Sequence, residues 1–128
     1  MNKKNKLLSF RDLDAWKEGH VLVLIVYKIT KKFPREELFG LTNQMRRCVV
    51  SITSNIAEGF SRYSFKEKTQ FYLISLGSTT ELQNQLIIAL DVGCITREEF
   101  NKIFEQTIKV HKILNGLIRK SRLKNPNS

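Results

Sequence analysis

Apolar residues recur along most of this chain at spacings of three and four, the period of an amphipathic helix. Four such segments stand out. The first runs from about Asp14 to Phe33, with Asp12 or Asp14 placed to cap its N-terminus and Lys31 and Lys32 in its last turn. Pro34 follows and prevents continuation. The second runs from about Leu41 to Phe60 on a stripe of Leu41, Met45, Cys48, Ile52 and Ile56. The third opens at Ser64, where Ser64 and Glu67 match a capping box, and its stripe is Phe65, Thr69, Tyr72, Leu76, Thr79, Gln83, Leu86 and Leu90. Gly93 is its natural stop. The fourth opens with a second box, Thr96 with Glu99, carries Phe100, Ile103, Thr107, Val110, Leu114 and Leu117, and frays near Arg122.

Short connections between long helices predict an all-α, up-down-up-down antiparallel four-helix bundle. It spans residues 12–123, between a basic N-terminal tail (1–11) and a C-terminal tail (124–128). No strand alternation and no solenoid period competes with this reading. The pattern also holds a surplus. A bundle helix buries roughly three positions in seven, yet Val21–Tyr27 is apolar throughout, and Phe71–Ile74 and Leu86–Leu90 are unbroken. Helices one and three therefore carry more apolar surface than one bundle can cover, which predicts a subunit interface and a homo-oligomer.

Charge changes the picture next. The 128 residues hold 22 Lys and Arg against 12 Asp and Glu, a net charge of +10. A basic surface concentrates polyanions around itself. The excess is uneven: residues 1–11 carry Lys3, Lys4, Lys6 and Arg11 without an acid, and residues 119–128 carry Arg119, Lys120, Arg122 and Lys124, again without one. From Lys17 to Arg47 seven bases face three acids, and from Glu58 to Lys112 the signs cancel. Cys48 and Cys94 sit among apolar neighbours in no zinc-like spacing. No signal peptide and no apolar run of membrane-spanning length is evident, so a cytoplasmic protein with no membrane partner is expected.

Catalytic patterns are missing: no phosphate-binding glycine loop, no metal-binding His motif and no Ser–His–Asp arrangement. His20 and His111 fall among helical apolar positions. The expectation is a non-enzymatic protein with no cofactor, no bound metal and no small-molecule substrate. The odd residues are polar ones inside helices two and three. Ser51, Asn55 and Glu58 share one face, and Ser78 and Glu81 share another. Glu58 and Glu81 facing each other could suggest a carboxylate metal site, but no histidine stands three residues after either, as the di-iron pattern requires. A hydrogen-bonded structural network of Ser51, Asn55, Glu58, Ser78 and Glu81, joined by Arg46 or Arg47, is the preferred reading. Ser51, Gly77 and Ser78 are small enough for close helix approach.

These motifs also carry a resemblance. Phe10-Arg11-Asp12-Leu13 with Trp16, Tyr27, Phe33-Pro34, Gly40-Leu41-Thr42 with Gln44, Ser51-Ile52, Asn55-Ile56-Ala57-Glu58-Gly59, Gly77-Ser78 with Glu81-Leu82, and Leu114-Asn115-Gly116-Leu117 follow in order. Over about Phe10 to Leu123 the chain resembles the four-helix bundle proteins encoded within intervening sequences of bacterial 23S ribosomal RNA genes. Thr53 stands where that family often has proline, which should leave helix two straighter. The resemblance implies a homopentamer of bundles. The chain is also similar to the accessory variability protein of diversity-generating retroelements, a basic pentameric barrel linked to RNA and a reverse transcriptase. Neither likeness supplies a biochemical role.

The leading expectation is an oligomeric bundle that binds RNA or a ribonucleoprotein through a basic surface. Lys31, Lys32 and Arg35 at the first turn, Arg46 and Arg47 on helix two, and Lys120, Arg122 and Lys124 at the C-terminus would neutralise phosphates and release counterions. Base readout has little support, since aromatics fall mostly on core stripes. Phe60, Tyr63 and Phe65 form the one group suited to stacking, although packing the end of the bundle is the preferred reading of them. The rival reading is a protein–protein adaptor with no direct contact to nucleic acid.

Overall fold

The structure, a computed structural model, describes residues 7–125. Four helices account for most of them: α1 (Asp14–Thr30), α2 (Asn43–Phe60), α3 (Phe65–Asp91) and α4 (Arg97–Leu123). α1 packs against α2 and α4, and α3 packs against the same two helices from the other side. Bridging pairs run in opposite directions in each case. Thr30 meets Arg46 and Gly19 lies over Thr53. Cys48 meets Ser78 and Gly59 meets Tyr72. Thr69 meets Ser121 and Gln83 meets Thr107, while Lys32 meets Glu99 and Glu18 meets Gln106. All four neighbouring pairs are antiparallel, so the chain runs up, down, up and down.

The helix ends follow local chemistry. Thr96 and Glu99 form a reciprocal capping box, with Glu99 N donating to Thr96 Oγ1 at 3.0 Å and Thr96 N to Glu99 Oε1 at 2.9 Å. Gly93 takes a left-handed φ of 84°, letting Cys94 N reach Ala89 O and Gly93 N reach Leu90 O. That is the Schellman closure, and it ends α3 where the glycine stands. At Ser64 the hydroxyl accepts from Glu67 N at 3.1 Å, but the return bond of the expected box is not made. Glu67 instead lies 4.0 Å from Arg62.

The two ends of α1 differ from expectation. Neither Asp12 nor Asp14 caps it; the N-cap is Leu13, without a side-chain bond. Asp12 accepts from Leu8 N and Ser9 N and so closes a 3-10 turn at Phe10–Asp12. Part of the expected N-terminal tail is therefore folded onto the bundle, while residues 1–6, with Lys3, Lys4 and Lys6, lie outside the described residues, as do 126–128. At the other end α1 stops at Thr30 rather than Phe33. Thr30 Oγ1 bonds back to Val26 O at 2.7 Å, and Lys32 N and Phe33 N make tighter i to i+3 bonds to Ile29 and Thr30. Pro34 disfavours helical geometry at Phe33. Lys31 and Lys32 thus follow the helix instead of sitting in it. A 3-10 turn (Arg35–Glu37) and a π turn (Leu38–Thr42) lead into α2, which runs unbroken through Thr53 to Phe60.

Leu22, Val26, Met45, Val49, Ile52, Ile56, Leu82, Leu86, Val110 and Leu114 fill the core with no exposure. α3 buries two adjacent stripes. Thr69, Tyr72, Thr79 and Leu86 belong to the expected one, and Ser75, Ser78, Leu82, Gln85 and Ala89 form a second. The second stripe supplies hydrogen bonds as well as bulk, since Ser75 Oγ donates to Ile52 O at 2.7 Å.

Candidate nucleic-acid interface

The sequence-predicted basic residues separate to opposite ends of the bundle. The α1–α2 turn carries one group. Lys31, Arg35 and Arg46 line a groove of about 250 Å³ with Thr30, Phe33, Pro34, Leu38 and Thr42. Lys32 points to the other side of α1, where Nζ pairs with Glu99 at 3.0 Å. Capping by Thr96 and then Lys32 hold the Glu99 carboxyl below its ordinary pKa. Arg46 is half-buried; its Nε donates to Thr30 Oγ1 at 2.8 Å and its guanidinium lies 4.9 Å from the Tyr27 ring centre. Arg47, next along α2, is exposed. Neither arginine joins Glu58 or Glu81, contrary to the expected network.

That network forms only in part. Ser51 Oγ and Ser78 Oγ are 3.0 Å apart, and Asn55 Nδ2 donates to Ser51 O and Oγ at 2.8 and 3.0 Å. Cys48 adds its thiol, which donates to Ser78 O at 3.0 Å. Burial, then the nearby Glu81 carboxylate, push that thiol up to about 12. Glu81 is exposed and approached by Gln85 Nε2 at 3.4 Å. Glu58 turns outward and pairs with Arg62 at 2.6 Å, one helical turn on. The two carboxylates therefore do not meet. Gly77 is exposed and has no neighbour within 4 Å, so it does not draw helices together. The close approach belongs to Gly59 instead. Among the described residues no three His, Cys, Asp or Glu side chains converge on one point.

The far end holds Lys120, Arg122 and Lys124, about 25 Å from the first group by the length of α1. Three elements meet them there: the 3-10 turn and start of α1, the α2–α3 turn, and the end of α4. Residues 7–17, 58–72 and 112–125 contain ten Lys and Arg against four acids. The opposite end, residues 27–47 and 84–104, contains eight against five. The charge excess is thus larger at the α4 C-terminus than at the first turn. Sequence reasoning missed Lys68, which the fold brings to this end. Its Nζ donates to Phe60 O at 2.6 Å, so it closes the C-terminal carbonyls of α2. Burial lowers its pKa from the ordinary lysine value. A lysine four residues into α3 gives no sign in sequence that it serves another helix.

Apolar surface is the other exposed feature. Of the Val21–Tyr27 run only Leu22 and Val26 are buried; Leu24 is 59% exposed, and Val21 and Tyr27 are also exposed. Leu73, Ile74, Ile87 and Ile88 are exposed on α3. α1 and α3 sit diagonally across the bundle, so the two apolar strips face different directions.

A family model described as 23S rRNA-intervening sequence protein matches residues 11–116, most of the chain. The chain belongs to this family. No curated protein matches the sequence. Among solved structures, a protein of unknown function from the S23 ribosomal protein family of Bacteroides thetaiotaomicron has the same fold, with a TM-score of 0.77. The two are 22% identical over 82% of this chain and 95% of the other. Family membership accords with the residues quoted above from Arg11 to Gly116, and it brings no assigned biochemical activity. No described helix is long and apolar enough to cross a membrane.

Proposed function

We propose that this chain is a non-enzymatic, cytosolic bundle that self-associates and binds RNA, free or within a ribonucleoprotein, through its basic ends. One observation carries the reading. Of the Lys and Arg among residues 7–125, only Lys32, Arg62 and Lys109 form ion pairs with acids. Apart from Arg46, held by Thr30, and Lys68, tied to Phe60 O, the remaining cations are free to neutralise phosphate. Such binding is driven by counterion release and needs no base contact. The two apolar strips support self-association. An isologous dimer would cover one strip, whereas a closed ring of heterologous contacts covers both. A ring also agrees with the homopentamer that the resemblance implies.

The adaptor reading draws on a different residue. Phe39, in the turn before α2, is 90% exposed and sits beside exposed Leu38. An exposed aromatic of this kind suits a protein partner. Filter binding to mixed-sequence RNA at several salt concentrations separates the two. RNA binding through the basic ends gives a linear fall of log affinity with log salt. Replacing Arg35 and Arg47 with Gln, or Lys120, Arg122 and Lys124 with Gln, should flatten that slope. Absence of binding at physiological salt overturns the RNA reading and leaves the adaptor.

A further inference from the structure

At the more basic end, Leu7 and Leu13 from the segment before α1 and the ends of α2, α3 and α4 surround an open cleft of about 170 Å³. Phe60, Phe65 and Tyr72 contribute aromatic wall, and Lys68, Lys120 and Lys124 line it as well. Lys68 Nζ lies 5.3 Å from the Phe60 ring centre and 6.0 Å from that of Phe65. Lys124 Nζ lies 5.5 Å from the Phe65 ring centre. Tyr63, in the turn between Phe60 and Phe65, is fully exposed. Lys68 serves the α2 carbonyls, but Lys120 and Lys124 make no such bond among the described residues, and a plain phosphate-binding surface has no use for the aromatic wall.

We infer that this cleft takes an unpaired nucleotide of single-stranded RNA, its base against Phe65 and its flanking phosphates on Lys120 and Lys124. The inference rests on the RNA reading above and goes beyond it, because it names the strand state and the residues that select it. Bases stack on aromatic side chains with little regard to sequence. In a duplex the base faces are already stacked, and only base edges, sugar and phosphate face outward. Lys124, one residue beyond α4, is the natural mobile element. It now rests over the Phe65 ring and exchanges that ring for a phosphate as the base enters. Lys68 stays behind, tied to Phe60 O at 2.6 Å, and contributes a fixed positive charge to the wall. The excess of bases over acids at this end supplies charge complementarity for the neighbouring phosphates.

The test uses the full chain with two fluorescent probes: a mixed single-stranded RNA carrying 2-aminopurine, and a duplex with the same number of phosphates. Binding of the single strand should quench the 2-aminopurine emission. Phe65→Leu keeps the apolar bulk and removes the ring face. It should abolish the quench and weaken single-strand binding about fivefold, the low end of what one stacked base contributes. Duplex affinity should not change. If Phe65→Leu proves poorly folded by circular dichroism, Lys124→Gln at an exposed position carries the same test. It should reduce the single-strand salt slope by about one phosphate's share. RNA binding with no quench, and with both variants like the wild type on single strands, overturns the cleft and leaves the broader RNA reading intact. No binding of either probe at physiological salt overturns both.

Discussion

Gly59 is where α2 and α3 come closest, and replacing it with alanine tests the packing argument directly. A Cβ at this position would lie 2.7 Å from Tyr72 Cε1 and 3.0 Å from both Phe71 Cβ and Tyr72 Cδ1. Carbon atoms pack comfortably at about 3.5–4.0 Å. Phe71 Cβ is bonded to the α3 backbone, and Tyr72 is 3% exposed, so neither can swing away. The start of α3 must retreat by several tenths of an ångström. Overpacking of this kind costs about 1–3 kcal/mol. Alanine's better helix propensity recovers at most about 0.8–1 kcal/mol, and less so close to a helix end. Gly59→Ala should therefore lose about 1–2 kcal/mol, a fall of roughly 4–8 °C in Tm at about 4 °C per kcal/mol. Gly77 in α3 and Gly116 in α4 are the controls, since a Cβ at either meets nothing within 4 Å. Gly77→Ala and Gly116→Ala should each gain about 0.5–1 kcal/mol. Urea unfolding followed by circular dichroism, with unchanged m values, gives the comparison. A Gly59→Ala variant as stable as the two controls would refute the close approach of α2 and α3.

Three further outcomes follow from the same geometry. Glu58→Ala should change stability by no more than about 0.5 kcal/mol, because its carboxylate sits in an exposed i to i+4 pair with Arg62; a loss several times larger in chemical denaturation would return Glu58 to a buried network. Burial raises Cys48 from an ordinary 9.0, and Tyr72 from 10.0, to about 12 each. Both folded values are raised, so the associated stability is complete below pH 9 and is lost as pH climbs toward 12. Cys48→Val and Tyr72→Phe should flatten that decline in Tm measured between pH 8 and 11, and profiles parallel to wild type would count against burial as its cause. Leu24→Glu should leave the fold intact, since Leu24 is 59% exposed, and should reduce the sedimenting species to the 14.9 kDa chain; a wild type that is already monomeric at micromolar concentration would remove the association argument.

Much of the fold was legible because its signals are local. Thr96 and Glu99 lie three residues apart, and Gly93 needs only its own φ to end α3. The missed features depend on a second element. Thr30 reads as one more helical residue, but the tighter turn before Pro34, with the reach of Arg46 from α2 to its hydroxyl, makes it the end of α1. Ser75 and Gln85 read as polar interruptions of a stripe, yet α3 sits between α2 and α4 and buries both flanks. For the candidate site, the types of residue were legible and their grouping only in part. Lys31 and Lys124 end helices one and four, which the expected up-down-up-down order already sets at opposite ends; what it does not show is that Lys68 turns back to the α2 carbonyls. Glu58 and Glu81 were paired on helical phase alone, although the i to i+4 spacing of Glu58 and Arg62 already offered a nearer partner.

Association and charge bear on each other through direction. The helices of one bundle are antiparallel, so each bundle has two unlike ends, and the end with the α4 C-terminus holds the larger basic excess. The exposed strips on α1 and α3 run along the bundle rather than across its ends. Copies joined strip to strip in a closed ring are related by rotation about one axis. Where that axis runs along the helices, every copy presents the same end to the same side. The Phe65 clefts and their lysines then form one rim, and the Arg35–Arg46 grooves form the other. A two-fold pair of antiparallel copies would set unlike ends side by side and give no such concentration. Weak phosphate contacts repeated around a rim act on one RNA at high effective concentration, so affinity rises without any new contact. The same apolar residues that a single bundle leaves uncovered would in this way convert a modest basic end into a surface able to hold an RNA strand.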